Sequence, residues 1–107
     1  MKTIKPDRIT ILNIIISTLK EIIKQKDLSV ENELEESTIL LGIDSVFDSI
    51  ILVTLVADIE EKIEDNFDIF ITIVDEKAMS LQQSPFLTIQ SLCDYVCLLI
   101  NQEISDS

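Results

Sequence analysis

The run Phe47-Asp48-Ser49-Ile50-Ile51-Leu52-Val53-Thr54-Leu55-Val56-Ala57-Asp58-Ile59-Glu60-Glu61-Lys62-Ile63-Glu64 decides the fold. Its many Ile and Val residues would suit a strand, because β-branched side chains pack well on a pleated surface. Length argues against that, since Ser49 to Glu64 exceeds a typical strand. Ile59 and Ile63 keep a four-residue step, with Asp58, Glu60, Glu61 and Lys62 around them. That is the period of an amphipathic helix. A helix is therefore expected from Ser49 to about Glu64.

Working outward, a first helix is expected from Pro6 to Gln25. Pro6 and Asp7 suit a helix start, and Lys20, Lys24 and Lys26 suit the negative end of the helix dipole. Leu12, Ile15, Ile16, Leu19, Ile22 and Ile23 form the expected core stripe. Asp27 to Asp48 reads as a long connection, acidic up to Ser37 and then apolar through Thr38-Ile39-Leu40-Leu41-Gly42-Ile43. The apolar part is expected to tuck against the helices. A connection this long in a small domain needs a function or a short helix of its own.

Beyond the central helix, Asn66 to Val74 alternates loosely and could be extended. Asp75 to Ser80 reads as a short helix, and Gln82 to Phe86 as a loop. A last helix is expected from Thr88, a plausible N-cap, to about Gln102. Its buried stripe is Ile89, Leu92, Cys93, Val96 and Ile100, and residues 101–107 are expected to fray.

Composition narrows the class. The chain has 107 residues, room for one domain, and 47% of them are hydrophobic, enough for a core. One Gly and two Pro disfavour an all-β fold, which needs frequent turn residues. Twenty acidic residues against eight basic ones give a net charge of −12, which repels nucleic acids and anionic membranes. The acids point to partner proteins with basic patches, or serve only to keep an Ile-rich surface soluble. The chain has no His, which removes most acid–base constellations and most zinc sites. Cys93 and Cys97 share a helical face and read as two buried thiols. No apolar run approaches the roughly 18 residues that a membrane span needs. No signal-like apolar segment follows the first residues, so a cytoplasmic protein is expected.

The ordered set of Phe47-Asp48-Ser49-Ile50, the helix closing on Glu60-Glu61, and Thr88-Ile89-Gln90-Ser91-Leu92-Cys93-Asp94-Tyr95-Val96 resembles the bacterial acyl carrier protein family. Ile73-Val74-Asp75-Glu76-Lys77-Ala78 resembles the family's short third helix, so the resemblance covers about Leu34 to Leu99. It implies an all-α four-helix bundle with a long loop between helices 1 and 2, and a carrier that is not itself an enzyme. It implies 4'-phosphopantetheine, moved from coenzyme A onto Ser49 by a phosphopantetheinyl transferase, with Asp48 beside it. It implies an acyl pocket lined by Val53, Val56, Ile59, Ala78, Leu92 and Tyr95. Leu41-Gly42-Ile43-Asp44-Ser45-Val46 also looks like the attachment signature, but counting from Ser45 puts Val56-Ala57 where the two acids belong.

The chain departs from the family pattern near the attachment site. Ile51 and Thr54 stand where the family commonly has acids, and Asp58, Glu60, Glu61 and Glu64 come later. The expectation is a specialised lipid or secondary-pathway carrier. Ile50 and Ile51 with those later acids would meet acyl-loading and acyl-transferring enzymes through basic or apolar patches. Ile51 could instead pack under the long loop. A monomer is expected, with no metal, no nucleic acid and no membrane insertion. An aminoacyl or polyketide carrier, and an unmodified acidic interaction module, remain as alternatives.

The charge alone makes a prediction. Self-repulsion at −12 opposes compaction, so Tm should rise from low to moderate salt. A Tm that stays flat over that range would show the acids to be compensated.

Overall fold

The structure is a computed structural model that describes residues 6–28, 33–40, 47, 49–73 and 86–105. Among them are three helices: α1 (Arg8–Lys26), α2 (Ser49–Phe67) and α3 (Ile89–Ser105). The only β pairing among the described residues is an isolated antiparallel bridge between Ile39 and Thr88. The chain is thus all-helical over these residues. The short helix expected from Asp75 to Ser80 lies outside them, as do Ala78, Asp48 and Ser45. No described helix is long and apolar enough to cross a membrane.

Local chemistry sets the ends of α1. Asp7 is extended (φ −85°, ψ 174°), and its carboxylate accepts the Thr10 N–H at 2.8 Å. That bond satisfies one of the first-turn donors, and the Thr10 side chain, then this backbone bond, hold the Asp7 pKa below its usual value. The helix therefore starts at Arg8 rather than at Pro6. It closes with Asp27 in the left-handed region (φ 54°), while the Leu28 N–H reaches back to the Ile23 carbonyl at 3.0 Å. These are the bonds of a Schellman motif, with Asp in the place usually held by Gly.

The buried face of α1 is Ile11, Ile15, Thr18, Leu19 and Ile22. Leu12, Ile16 and Ile23, expected in the core stripe, are only partly buried against it. The apolar arc of this helix is wider than one face, so periodicity alone cannot choose its centre. Thr18 enters the core at low cost because its hydroxyl donates to the Ile14 carbonyl at 2.6 Å.

α2 runs to Phe67, almost a turn past the expected Glu64. It stops at Asp68, left-handed (φ 57°), whose N–H still bonds the Glu64 carbonyl at 2.9 Å. Residues 68–72 form no strand. The segment is held by the Ile73 N–H, which donates to Glu60 Oε2 at 2.6 Å, and by the buried Ile73 side chain.

α3 begins under a strap from the long connection. The Leu40 N–H donates to the Leu87 carbonyl at 2.8 Å. In return the Ile89 and Gln90 N–H groups donate to the Thr38 and Glu36 carbonyls at 3.1 and 2.9 Å. Two first-turn donors of α3 are thus satisfied by the strap. Thr88 caps the same helix: its Oγ1 accepts the Ser91 N–H at 3.1 Å, and Ser91 Oγ accepts the Thr88 N–H at 3.0 Å. This is a capping box with Ser in the position usual for Glu or Gln. Of the apolar part of the strap, Leu40 is buried and Ile39 is exposed, and residues 41–43 lie outside the described residues. The frayed tail is corrected over its first residues, since α3 continues to Ser105 with Ile100 buried.

One core unites the elements. α1 packs against both α2 and α3, and among the described residues side chains of all three helices share one cluster. Arg8, the only Arg in the sequence, ties the strap and α3 to α1. Its Nη2 pairs with Glu36 and its Nε with Asp94, the latter at 2.9 Å. Asp94 and then Glu36 raise the Arg8 pKa above its already high ordinary value. Lys62 of α2 reaches Glu21 of α1 at 3.2 Å.

The cap on α3 is testable. Thr88→Val keeps the side-chain volume and removes the acceptor, and should cost about 1 kcal/mol. For a domain of this size Tm should fall by roughly 4–8 °C. An unchanged Tm would mean that the strap carbonyls alone hold the start of α3.

Candidate functional site

The start of α2 gathers the candidate residues. Ser49 is the first helical residue, and Phe47 before it is non-helical and buried. The helix that carries Ser49 therefore does not reach back to Ser45. A helix start presents N–H groups that have no partner within the helix and the positive end of the dipole. An anionic group attached there would find donors already aimed at it.

From that start an exposed stripe runs along α2. Ile50 and Val53 are 67% and 63% exposed, and Ala57, Glu61 and Glu64 follow at steps of three and four. Thr54 and Asp58 flank the stripe, half-buried, and Asp65 is exposed beside it. The stripe is apolar in its first half and acidic in its second. Two expectations need correction here. Ile51 is only 6% exposed and belongs to the core, so it does not share the surface spot with Ile50. Val53 faces outward and does not line the interior. The physical reason is the helical step: Leu55, Val56, Ile59 and Ile63 are buried, and Ile51 lies four residues before Leu55 on their side.

The expected docking acids divide as well. Glu61 and Glu64 are exposed, and Asp58 is partly so. Glu60 is half-buried and accepts the Ile73 N–H, which makes it a tie for the segment after α2. Of the residues expected to line a pocket, Val56, Ile59, Leu92 and Tyr95 are buried in the common cluster. Ala78 and Asp48 lie outside the described residues.

The thiols differ from each other. Cys93 is buried and its Sγ donates to the Arg8 carbonyl at 3.7 Å, whereas Cys97 is only partly buried. Burial, and then the neighbouring Cys97 thiol, push the Cys93 pKa up to about 12, so it is an unreactive core thiol. Among the described residues no group of three or more His, Cys, Asp or Glu side chains could hold a metal ion. The Arg8, Glu36 and Asp94 cluster was not legible beforehand, and the sole Arg in an acidic chain was its only sequence signal. Comparison of the chain with protein-family models, curated proteins and solved structures finds no match.

The two faces of α2 give opposite expectations for one substitution at neighbouring positions. Ile50→Asp should change stability by no more than about 0.5 kcal/mol, as a surface change. Ile51→Asp should cost on the order of 3–5 kcal/mol, because it drives a carboxylate into the core. Urea unfolding of both variants measures this. Equal stabilities would mean that the two residues do not lie on opposite faces.

Proposed function

We propose that this chain is an acyl carrier protein. It holds acyl groups as thioesters on a 4'-phosphopantetheine arm at Ser49, and the segment at Asp75–Ser80 completes a four-helix bundle. The observation that carries the reading is the position of Ser49 as the first residue of α2, directly before the exposed Ile50. In the loading step the Ser49 hydroxyl oxygen bonds to the β-phosphorus of coenzyme A. Adenosine 3',5'-bisphosphate leaves, and the hydroxyl proton passes to a base on the transferase. The first-turn N–H groups of α2 suit the resulting diester anion. The arm supplies a terminal thiol for the cargo. The chain itself supplies attachment, position and recognition, which asks for no His.

Partner enzymes dock on the same stripe in this reading. Ile50 and Val53 offer apolar contact beside the arm, while Glu61 and Glu64, with Asp58 at the edge, steer a basic patch on the partner. The spot is apolar where a more acidic carrier would present charge. That favours a carrier dedicated to a few enzymes of one lipid or secondary pathway, in a cytoplasmic setting.

Intact mass tests the reading. Co-expression with a broad-specificity phosphopantetheinyl transferase should add about 340 Da, the covalent composition of one arm. Ser49→Ala should abolish the gain, and Ser45→Ala should leave it in place. No gain in the presence of an active transferase would leave an acidic interaction module as the better account. A gain lost only in the Ser45 variant would move the attachment site.

A further inference from the structure

The outer faces of α1 and α2 carry one pattern with opposite charge. On α1, Ile9, Leu12, Ile16 and Lys20 follow one another at steps of three and four, and Lys24 lies one turn on. On α2, Ile50, Val53, Ala57 and Glu61 repeat the same steps in the same order, and Glu64 follows. Side chains spaced in this way share one flank of a helix. Ile9 is 69% exposed, as fully as Ile50 and Val53, and Lys20, Lys24, Ala57, Glu61 and Glu64 are exposed too. Leu12 and Ile16 are half-buried at the edge of the core. Among the described residues no ion pair engages Lys20, Lys24, Glu61 or Glu64.

Laid side by side in parallel, the two stripes match. Ile9 meets Ile50, Leu12 meets Val53, and Ile16 meets Ala57, whose small side chain lets the backbones approach. Lys20 then meets Glu61, with Lys24 and Glu64 in reach one turn on. The other pairings lose this match. An antiparallel arrangement sets the charges of each stripe against Ile and Val, and pairing either stripe with its own copy in parallel sets like charges together. The complement of each stripe is thus carried by the same chain.

The net charge of −12 opposes any meeting of copies. At about 0.15 M salt the Debye length is about 8 Å, so the long-range repulsion is largely screened while pairs in contact keep much of their attraction. The contact is therefore weak, and it needs moderate salt and high concentration.

We infer that copies of this chain associate head to tail, with the outer face of α1 on one copy seated in parallel on the exposed stripe of α2 on the next. Two different patches meet, so copies add into a ring or an open chain rather than stopping at a symmetric pair. The contact covers Ile50 and Val53, so self-association and docking of a partner enzyme on α2 exclude each other. Association of copies asks nothing of the carrier reading.

Sedimentation equilibrium of the unmodified chain tests this at about 0.15 M salt, from about 20 μM to about 1 mM. The weight-average mass of wild type should rise with concentration, to about 1.5 times the monomer or more at the upper end. Ile9→Asp should stay monomeric. So should Lys20→Glu, which sets Glu against Glu61, and Glu61→Lys, which sets Lys against Lys20. In an equal mixture of the two reversals each chain offers what the other lacks, and about half or more of the wild-type rise should return. Circular dichroism checks that each variant is helical. Lys20→Gln and Glu61→Gln replace a reversal that does not fold, and each should lose about half or more of the rise. A wild type that stays monomeric to about 1 mM overturns the proposal. So does association that survives Ile9→Asp or the charge changes, and so does a mixture of folded reversals that remains monomeric.

Discussion

The buried face of α1 is the constraint on which the rest of the structure depends. Ile11, Ile15, Leu19 and Ile22 must all leave water, and no single neighbouring helix covers them. α2 and α3 both pack against α1, and their buried side chains join the same cluster. Taking such a side chain out of water gains roughly 1.5–3 kcal/mol. The four together outweigh any surface ion pair, each of which is worth about 1 kcal/mol or less. Arg8 and Lys62 therefore select how the helices sit on α1 more than they hold them there.

The long connection follows from the same constraint. α1 ends at Lys26, yet Glu36 pairs with Arg8 at its beginning. The chain has returned the length of the helix, about 27 Å at 1.5 Å per residue. Having returned, it lends the Glu36 and Thr38 carbonyls to the first donors of α3 and buries Leu40. A connection that could have been slack thus becomes part of the helix it meets.

On α2 the same logic separates two jobs. Ile51, Leu55, Val56, Ile59 and Ile63 hold the helix to the core, which leaves Ile50 and Val53 with no core position to occupy. Two large apolar side chains in water beside a helix start are costly to solubility and useful for contact. The acids farther along the stripe offset the first property and serve the second. Glu60 is drawn out of that surface role by the Ile73 N–H, which has no ladder partner and needs an acceptor.

Sequence by itself determined the helical class and the rough place of each described helix. Those features depend on local period, on few turn residues and on caps such as Thr88, all written within a few neighbouring residues. It also singled out Ser49 by its place in a helix-opening motif. Only the tertiary structure decided which part of a wide apolar arc is core. In α1 that meant Ile11 and Thr18 over Leu12 and Ile16, and in α2 Ile51 over Val53. An arc of Ile, Leu and Val wider than one face offers several equivalent ways to be buried, and only the neighbouring elements break the tie. The strap and the Arg8 cluster were equally beyond reach. Backbone hydrogen bonds leave no side-chain signature, and Asp94 lies 86 residues from Arg8, so their pairing exists only once the packing of the helices on α1 has brought them together.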